Sequence, residues 1–63
     1  MDYQDAKKLM EKGAVMGCNG SIEFDYYRIE DGNLIAFYSC DNEDYIVLNP
    51  LELKDGWYFI YWG

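Results

Sequence analysis

The sequence contains no histidine, only two cysteines and a single proline. Histidine is the usual general base near neutral pH and the commonest metal ligand, so its absence argues against most hydrolases and metal centres. Cys18 and Cys40 are too few and too far apart to form a zinc site by themselves. We expect both to be reduced and packed as small hydrophobic side chains. The chain is therefore not predicted to be an enzyme, and no catalytic residue, metal or cofactor is expected.

Long hydrophobic runs and a basic leader are also missing. No apolar stretch approaches the roughly 20 residues that span a bilayer, and no basic segment precedes an apolar one as in a secretory signal. We expect a cytoplasmic protein that binds no membrane. The 63 residues suffice for one small domain, residues 1–63, and a hydrophobic content of 51% argues against disorder.

Basic residues are scarce, since five Lys and Arg stand against twelve Asp and Glu, for a net charge of −7. The excess is concentrated between residues 23 and 44, where Arg28 is the only base. Such a surface repels nucleic acids and anionic membranes and attracts basic protein patches. One explanation of this excess negative charge is that it only keeps the chain soluble. The other is a protein interface formed by Glu30, Asp31, Asp41, Glu43 and Asp44.

Local signals divide the chain into one helix followed by strands. Asp2 is a candidate N-cap and Gly13 a candidate stop, with apolar residues at helical spacing between them, which predicts a helix over 3–12. Asn19-Gly20 predicts a primed turn, and Asp31-Gly32 lies at the centre of a second tight turn. A single helical turn is predicted at 49–52, and strands are predicted over 14–16, 21–29, 34–40, 45–48 and 57–62.

These elements predict an α+β fold, in which the N-terminal helix packs on a strongly twisted antiparallel sheet of about five strands. One helix cannot cover both faces of that sheet. The last strand is nevertheless apolar on both sides, with Trp57, Phe59 and Tyr61 on one and Tyr58, Ile60 and Trp62 on the other. A homo-oligomer is the simplest cover for the second face. A barrel-like sheet that buries the surplus internally is the alternative.

Binding is the class of function that the composition favours. Tyr and Trp dominate interface hot spots and stack on nucleobases, which makes Trp57 and Tyr58 candidate platforms. Asn19 offers an acceptor and two donors, and the backbone N–H of Gly20 belongs to a possible anion-binding nest. Arg28, the only arginine, is the best available phosphate partner. Ordinary roles in a turn, in the core and on the surface remain open for these residues.

Three segments, taken in order, resemble a family of small phage proteins. They are the helix and short strand of residues 2–15, the turn Gly17-Cys18-Asn19-Gly20, and the closing residues 51–57. The family is the second type of phage Thoeris anti-defence protein. The resemblance implies an oligomer that sequesters a cyclic nucleotide-derived immune signal between its subunits without cleaving it. It also implies that Asn19 and Gly20 lie in the ligand loop and that Trp57 matches the family's late tryptophan.

The negative charge supports a rival function. A small acidic protein resembles the phosphate backbone and can block the basic groove of a host defence nuclease or another DNA- or RNA-binding protein. Such an inhibitor needs no pocket, and its binding should weaken steeply with salt. Neither function predicts direct contact with nucleic acid.

Overall fold

The computed structural model describes all 63 residues, which form one helix on a five-stranded sheet. Every neighbouring pair of strands is antiparallel, and the spatial order is β4-β3-β2-β1-β5. The α+β prediction is therefore confirmed. The elements are α1 (Tyr3–Glu11), β1 (Ala14–Cys18), β2 (Tyr26–Glu30), β3 (Asn33–Phe37), β4 (Asp44–Ile46), a 3-10 turn (Pro50–Glu52) and β5 (Trp57–Trp62).

Helix α1 begins where the local signals predict and ends at Glu11, one residue before the predicted end. The Asp2 Oδ1 accepts the backbone N–H of Asp5 at 2.9 Å, which satisfies one of the free donors of the first turn. Gly13 follows the helix with a φ of +108°, a conformation that glycine adopts without the steric cost of a Cβ. No helix in the chain is long and apolar enough to cross a membrane.

The core lies between α1 and one face of the sheet. Met16 of β1 pairs directly with Tyr27 of β2, and both side chains are almost fully buried at its centre. The ring of Trp57 lies 5.0 Å from that of Tyr27 and 5.7 Å from that of Tyr3, so β5 is joined to the helix through aromatic contacts. The remaining members are Ala6, Met10, Ala14, Cys18, Leu34 and Ala36.

The connection between β1 and β2 differs from the prediction. Strand β1 continues to Cys18, and β2 begins only at Tyr26. Asn19 and Gly20 do form a turn, closed by the N–H of Ser21, which donates to the carbonyl of Cys18 at 3.1 Å. Neither residue has a positive φ, so the predicted primed type is wrong. The N–H of Asn19 donates to the carbonyl of Gly56 at 2.8 Å. Ile22, expected to lie on a strand, is fully exposed in the connecting loop.

The turn between β2 and β3 is the tight hairpin that the sequence predicts. Asp31 and Gly32 have φ angles of +52° and +80°, and the residues on either side of them pair across the hairpin. Strand β3 ends at Phe37 rather than at Cys40. Cys40 is consequently exposed, against the expectation that it packs inside, whereas Cys18 is buried; both cysteines are free.

A bulge in β5 changes which side chains share a face. Met16 pairs with Phe59 but its neighbour Val15 pairs with Tyr61, so Ile60 is an extra residue on β5. Directly paired residues lie on the same face of a sheet. Tyr61 is therefore on the face away from α1, and the simple alternation predicted for residues 57–62 fails after Phe59.

Candidate ligand-binding surface

The face of the sheet opposite α1 carries a row of aromatic side chains that the helix does not cover. We call this surface the open face, and it is formed by Tyr26, Arg28, Phe37, Tyr58 and Tyr61. The rings of Tyr26 and Phe37 stack with their centroids 5.3 Å apart, and Tyr61 meets Tyr26 edge-on at 6.3 Å. Mutual packing joins the rings of Tyr26, Phe37 and Tyr61 into one aromatic cluster.

Tyr58 owes its position on the open face to the glycine opposite it. A Cβ on Gly17 would lie 2.4 Å from the Tyr58 ring, so only glycine allows the ring to lie flat across β1. The side chain of Tyr58 still remains 45% exposed. This predicted ligand residue is thus both oriented by the sheet and open to solvent.

Asn19 and Gly20 lie beside the segment that leads into β5. Besides the hydrogen bond from Asn19 to Gly56, the Cys18 Sγ–H donates to the carbonyl of Asp55 at 3.4 Å. A Cβ on Gly56 would lie 3.3 Å from the backbone nitrogen of Gly20, so the two segments are in close contact. The side chain of Asn19 is exposed next to this contact.

Trp57 does not share the open face with its neighbour Tyr58. It is 2% exposed, and its indole Nε1–H donates to the carbonyl of Leu53 at 2.7 Å. Within this chain its ring has no free side on which a base can stack. The sequence alternation places these two aromatics on opposite sides of β5, but it does not show which side the helix covers, because β5 is apolar on both faces.

The guanidinium of Arg28 is already engaged by carboxylates. It donates to both oxygens of Asp44, at 3.2 and 2.7 Å, and to Oε2 of Glu30 at 3.0 Å, and its Cζ lies 5.0 Å from the centre of the Phe37 ring. These bonds raise the already high pKa of Arg28, the bond to Asp44 contributing most. Arg28 is therefore on the open face but is not free for a phosphate.

The five predicted interface carboxylates are all exposed. The Asp41 Oδ1 accepts the N–H of Glu43 at 3.0 Å in an Asx turn that leads into Asp44, the first residue of β4, and residues 41–44 are called here the acidic turn. The Tyr45 hydroxyl donates to Glu43 at 3.0 Å, and this bond is the main cause that raises the pKa of Tyr45. Glu30 and Asp44 are joined through Arg28, whereas Asp31 lies apart in the β2–β3 turn.

A cleft of about 450 Å³ lies where the open face meets the acidic turn. Its walls include the rings of Tyr26, Phe37 and Tyr61 and the carboxylates of Asp41 and Asp44. Sequence reasoning did not assign these three aromatics to a site. For two of them the sequence did contain a signal. Tyr26 precedes the core residue Tyr27 and Phe37 follows the core residue Ala36, so strand alternation places both on the face away from the helix.

The structure contains no group of three or more His, Cys, Asp or Glu side chains that could hold a metal ion. What it does gather are flat aromatic surfaces, exposed amide and carboxylate groups, and one engaged guanidinium. These groups suit recognition by stacking and hydrogen bonding. Comparison with protein-family models, with curated proteins and with solved structures finds no match to this chain.

Proposed function

We propose that this chain is a non-catalytic binding protein of the phage anti-defence type, which sequesters a nucleotide-derived immune signal. The observation that carries the proposal is the meeting of two segments that resemble that family. The turn around Asn19 and the residues before Trp57 are far apart in sequence, yet Asn19 donates to Gly56 and Cys18 to Asp55. Two short motifs that resemble one family support the proposal more strongly when they lie together on a single surface.

The ligand contacts proposed here are a base against an aromatic ring and hydroxyl groups against an amide. Tyr58 supplies the exposed ring next to the Asn19 turn, and stacking of a base on such a ring is worth about 1–3 kcal/mol. Asn19 supplies donors and an acceptor for the base or ribose. Phosphate contacts contribute less, because Arg28 is held by Asp44 and Glu30.

A thermal-shift experiment with a panel of cyclic nucleotide signals tests this function. A ligand present at 100 times its dissociation constant adds about 2.7 kcal/mol to the free energy of unfolding. In a domain of this size that corresponds to a rise in Tm on the order of 10 °C. The bound nucleotide should be recovered intact after denaturation. Absence of a shift across the panel, or recovery of a hydrolysed product, contradicts the proposal.

Two variants at the proposed contacts sharpen the experiment. Tyr58→Ala should abolish the ligand-induced shift, whereas Tyr58→Phe keeps the ring and should keep most of it. Asn19→Asp keeps the local backbone but brings a carboxylate to the ligand's phosphates, so binding should fall while the Tm of the free protein stays unchanged. If Asn19→Asp leaves both binding and Tm unmoved, Asn19 is only a structural loop residue.

An acidic inhibitor of a nucleic-acid-binding protein is the second candidate function. The observation that favours it is the exposure of the acidic turn beside the aromatic open face, a combination that suits a basic protein surface. The double variant Asp41→Asn, Glu43→Gln should abolish inhibition of a defence nuclease and spare the Arg28–Asp44 pair. Glu11→Gln with Glu52→Gln removes the same charge elsewhere and should leave inhibition intact. Equal loss of inhibition in the two double variants would mean that inhibition depends on net charge alone and not on the acidic turn.

A further inference from the structure

We propose that the cleft between the open face and the acidic turn binds the guanidinium of an arginine side chain from a basic partner protein. The inference specifies the partner of the second candidate function and rests on it. It concerns the end of the open face at Tyr61 and Asp41, away from the Asn19 turn.

The walls of the cleft combine the two kinds of group that an arginine prefers. Tyr26, Phe37 and Tyr61 line the cleft with aromatic rings, and cations are attracted to the faces of such rings. The ring of Phe37 is already covered by Tyr26 and Arg28, so the exposed ring of Tyr61 is the one that an incoming cation would contact. Asp41 presents a carboxylate whose Oδ2 accepts no hydrogen bond within the chain and is open to a guanidinium donor, whereas both oxygens of Asp44 are already held by Arg28. The volume of about 450 Å³ is ample for one side chain, and the cleft is open to solvent.

The chain already uses this chemistry once, immediately beside the cleft. Arg28 lies 5.0 Å from the centre of the Phe37 ring while it donates two hydrogen bonds to Asp44. Arg28 itself does not line the cleft. An incoming arginine would combine the same two kinds of contact, one with an aromatic ring and one with a carboxylate, on the neighbouring part of the same face.

The charge around the cleft selects a cation over an anion. Arg28 is the only base among the carboxylates of Glu30, Asp41 and Asp44, so the region keeps an excess of negative charge. Asp41 forms no ion pair, and its Oδ1 accepts only the N–H of Glu43, which leaves Oδ2 for an external donor. Arginine is preferred to lysine because its planar head stacks on a ring while its N–H groups donate to the carboxylate of Asp41.

The test is an NMR titration of the whole chain with a short neutral peptide that contains one arginine, compared with the same peptide carrying citrulline. Citrulline keeps the shape but removes the charge. We expect the arginine peptide to shift the ring signals of Phe37 and Tyr61 and the citrulline peptide to leave them in place. Asp41→Asn should weaken binding about tenfold, and Tyr61→Ala about fivefold. Glu52→Gln, equal in charge but outside the cleft, should bind as the native chain does.

Equal binding of the two peptides, or equal weakening by Asp41→Asn and Glu52→Gln, overturns the inference. Asp41 is exposed, so the spectrum of the free Asp41→Asn variant should stay dispersed and unchanged outside the acidic turn. If the arginine peptide binds in the cleft but no nuclease is inhibited, the inhibitor function fails while the arginine site stands. If a nucleotide rather than the peptide shifts these rings, the cleft belongs to the first proposed function.

Discussion

Trp57 shows how one residue joins the end of the chain to its core. Its ring packs against Tyr3 and Tyr27, and its indole N–H is satisfied by the carbonyl of Leu53. We expect Trp57→Ala to lower the free energy of unfolding by about 3–5 kcal/mol, since a large core cavity replaces the ring. Urea denaturation followed by circular dichroism measures this, with Trp57→Phe as a milder control. Unchanged stability in Trp57→Ala would mean that the ring is not part of the core.

Asp44 makes the stability of the folded chain depend on pH. Its pKa is lowered from 3.8, first by the hydrogen bonds from Arg28 and then by the guanidinium charge. A lowered pKa stabilises the folded chain above the ordinary pKa, and this contribution is lost as the pH falls through the lowered value. Arg28→Gln should move the carboxyl titration of Asp44 back toward 3.8 in a ¹³C NMR experiment. Lys54→Gln, which also removes one positive charge, should leave that titration in place; an unmoved Asp44 in Arg28→Gln contradicts the pairing.

At the scale of elements, the β2–β3 hairpin depends on backbone conformation more than on contacts. Gly32 has a φ of +80°, and a Cβ there would meet no atom within 4 Å, so a substitution costs conformational strain rather than crowding. We expect Gly32→Ala to lower the free energy of unfolding by about 1–2 kcal/mol. Gly32→Asn, which tolerates positive φ, should lose less. Equal stability of the alanine variant and the native chain in thermal denaturation would contradict this account.

Elements with strong local signals could be predicted from the sequence, and those that depend on distant partners could not. The helix after Asp2 and the turn at Asp31-Gly32 are fixed by their own residues. Asn19-Gly20 also forms a turn, but it is not of the primed type and does not lead directly into β2, and the N–H of Asn19 bonds to the carbonyl of Gly56. That bond joins residues far apart in sequence, so no local pattern reveals it.

The candidate site could likewise be predicted only in part from the sequence. Tyr58 and the exposed carboxylates were assigned from residue type, and the structure leaves all of them accessible. The burial of Trp57 and the shift of Tyr61 to the open face depend on how β5 pairs with β1 and on the bulge at Ile60. A strand that is apolar on both sides gives no alternation from which such a register can be read.

At the scale of the whole molecule, the two edges of the sheet are unequal. Strand β4 has only three residues and begins with a charged one, whereas β5 has six residues and no charge at all. Soluble proteins usually protect a sheet edge with charges or by making it short. On β5, Phe59 and Trp62 are instead 43% and 58% exposed, and the centroids of their rings lie 5.2 Å apart. This edge has the character of a surface that a second chain covers.

We therefore predict that the chain forms a dimer or a larger assembly through β5. Light scattering should give a mass at least twice the 7.4 kDa of one chain at micromolar concentration. Trp62→Lys places a charge on the edge and should yield monomers, whereas Leu48→Lys, at a residue even more exposed but outside β5, should not. A native monomer, or identical behaviour of the two variants, contradicts the prediction. Because Tyr58 and Tyr61 lie on the same strand, the monomeric Trp62→Lys variant also tests whether the proposed nucleotide site needs two subunits: ligand binding should fall along with assembly.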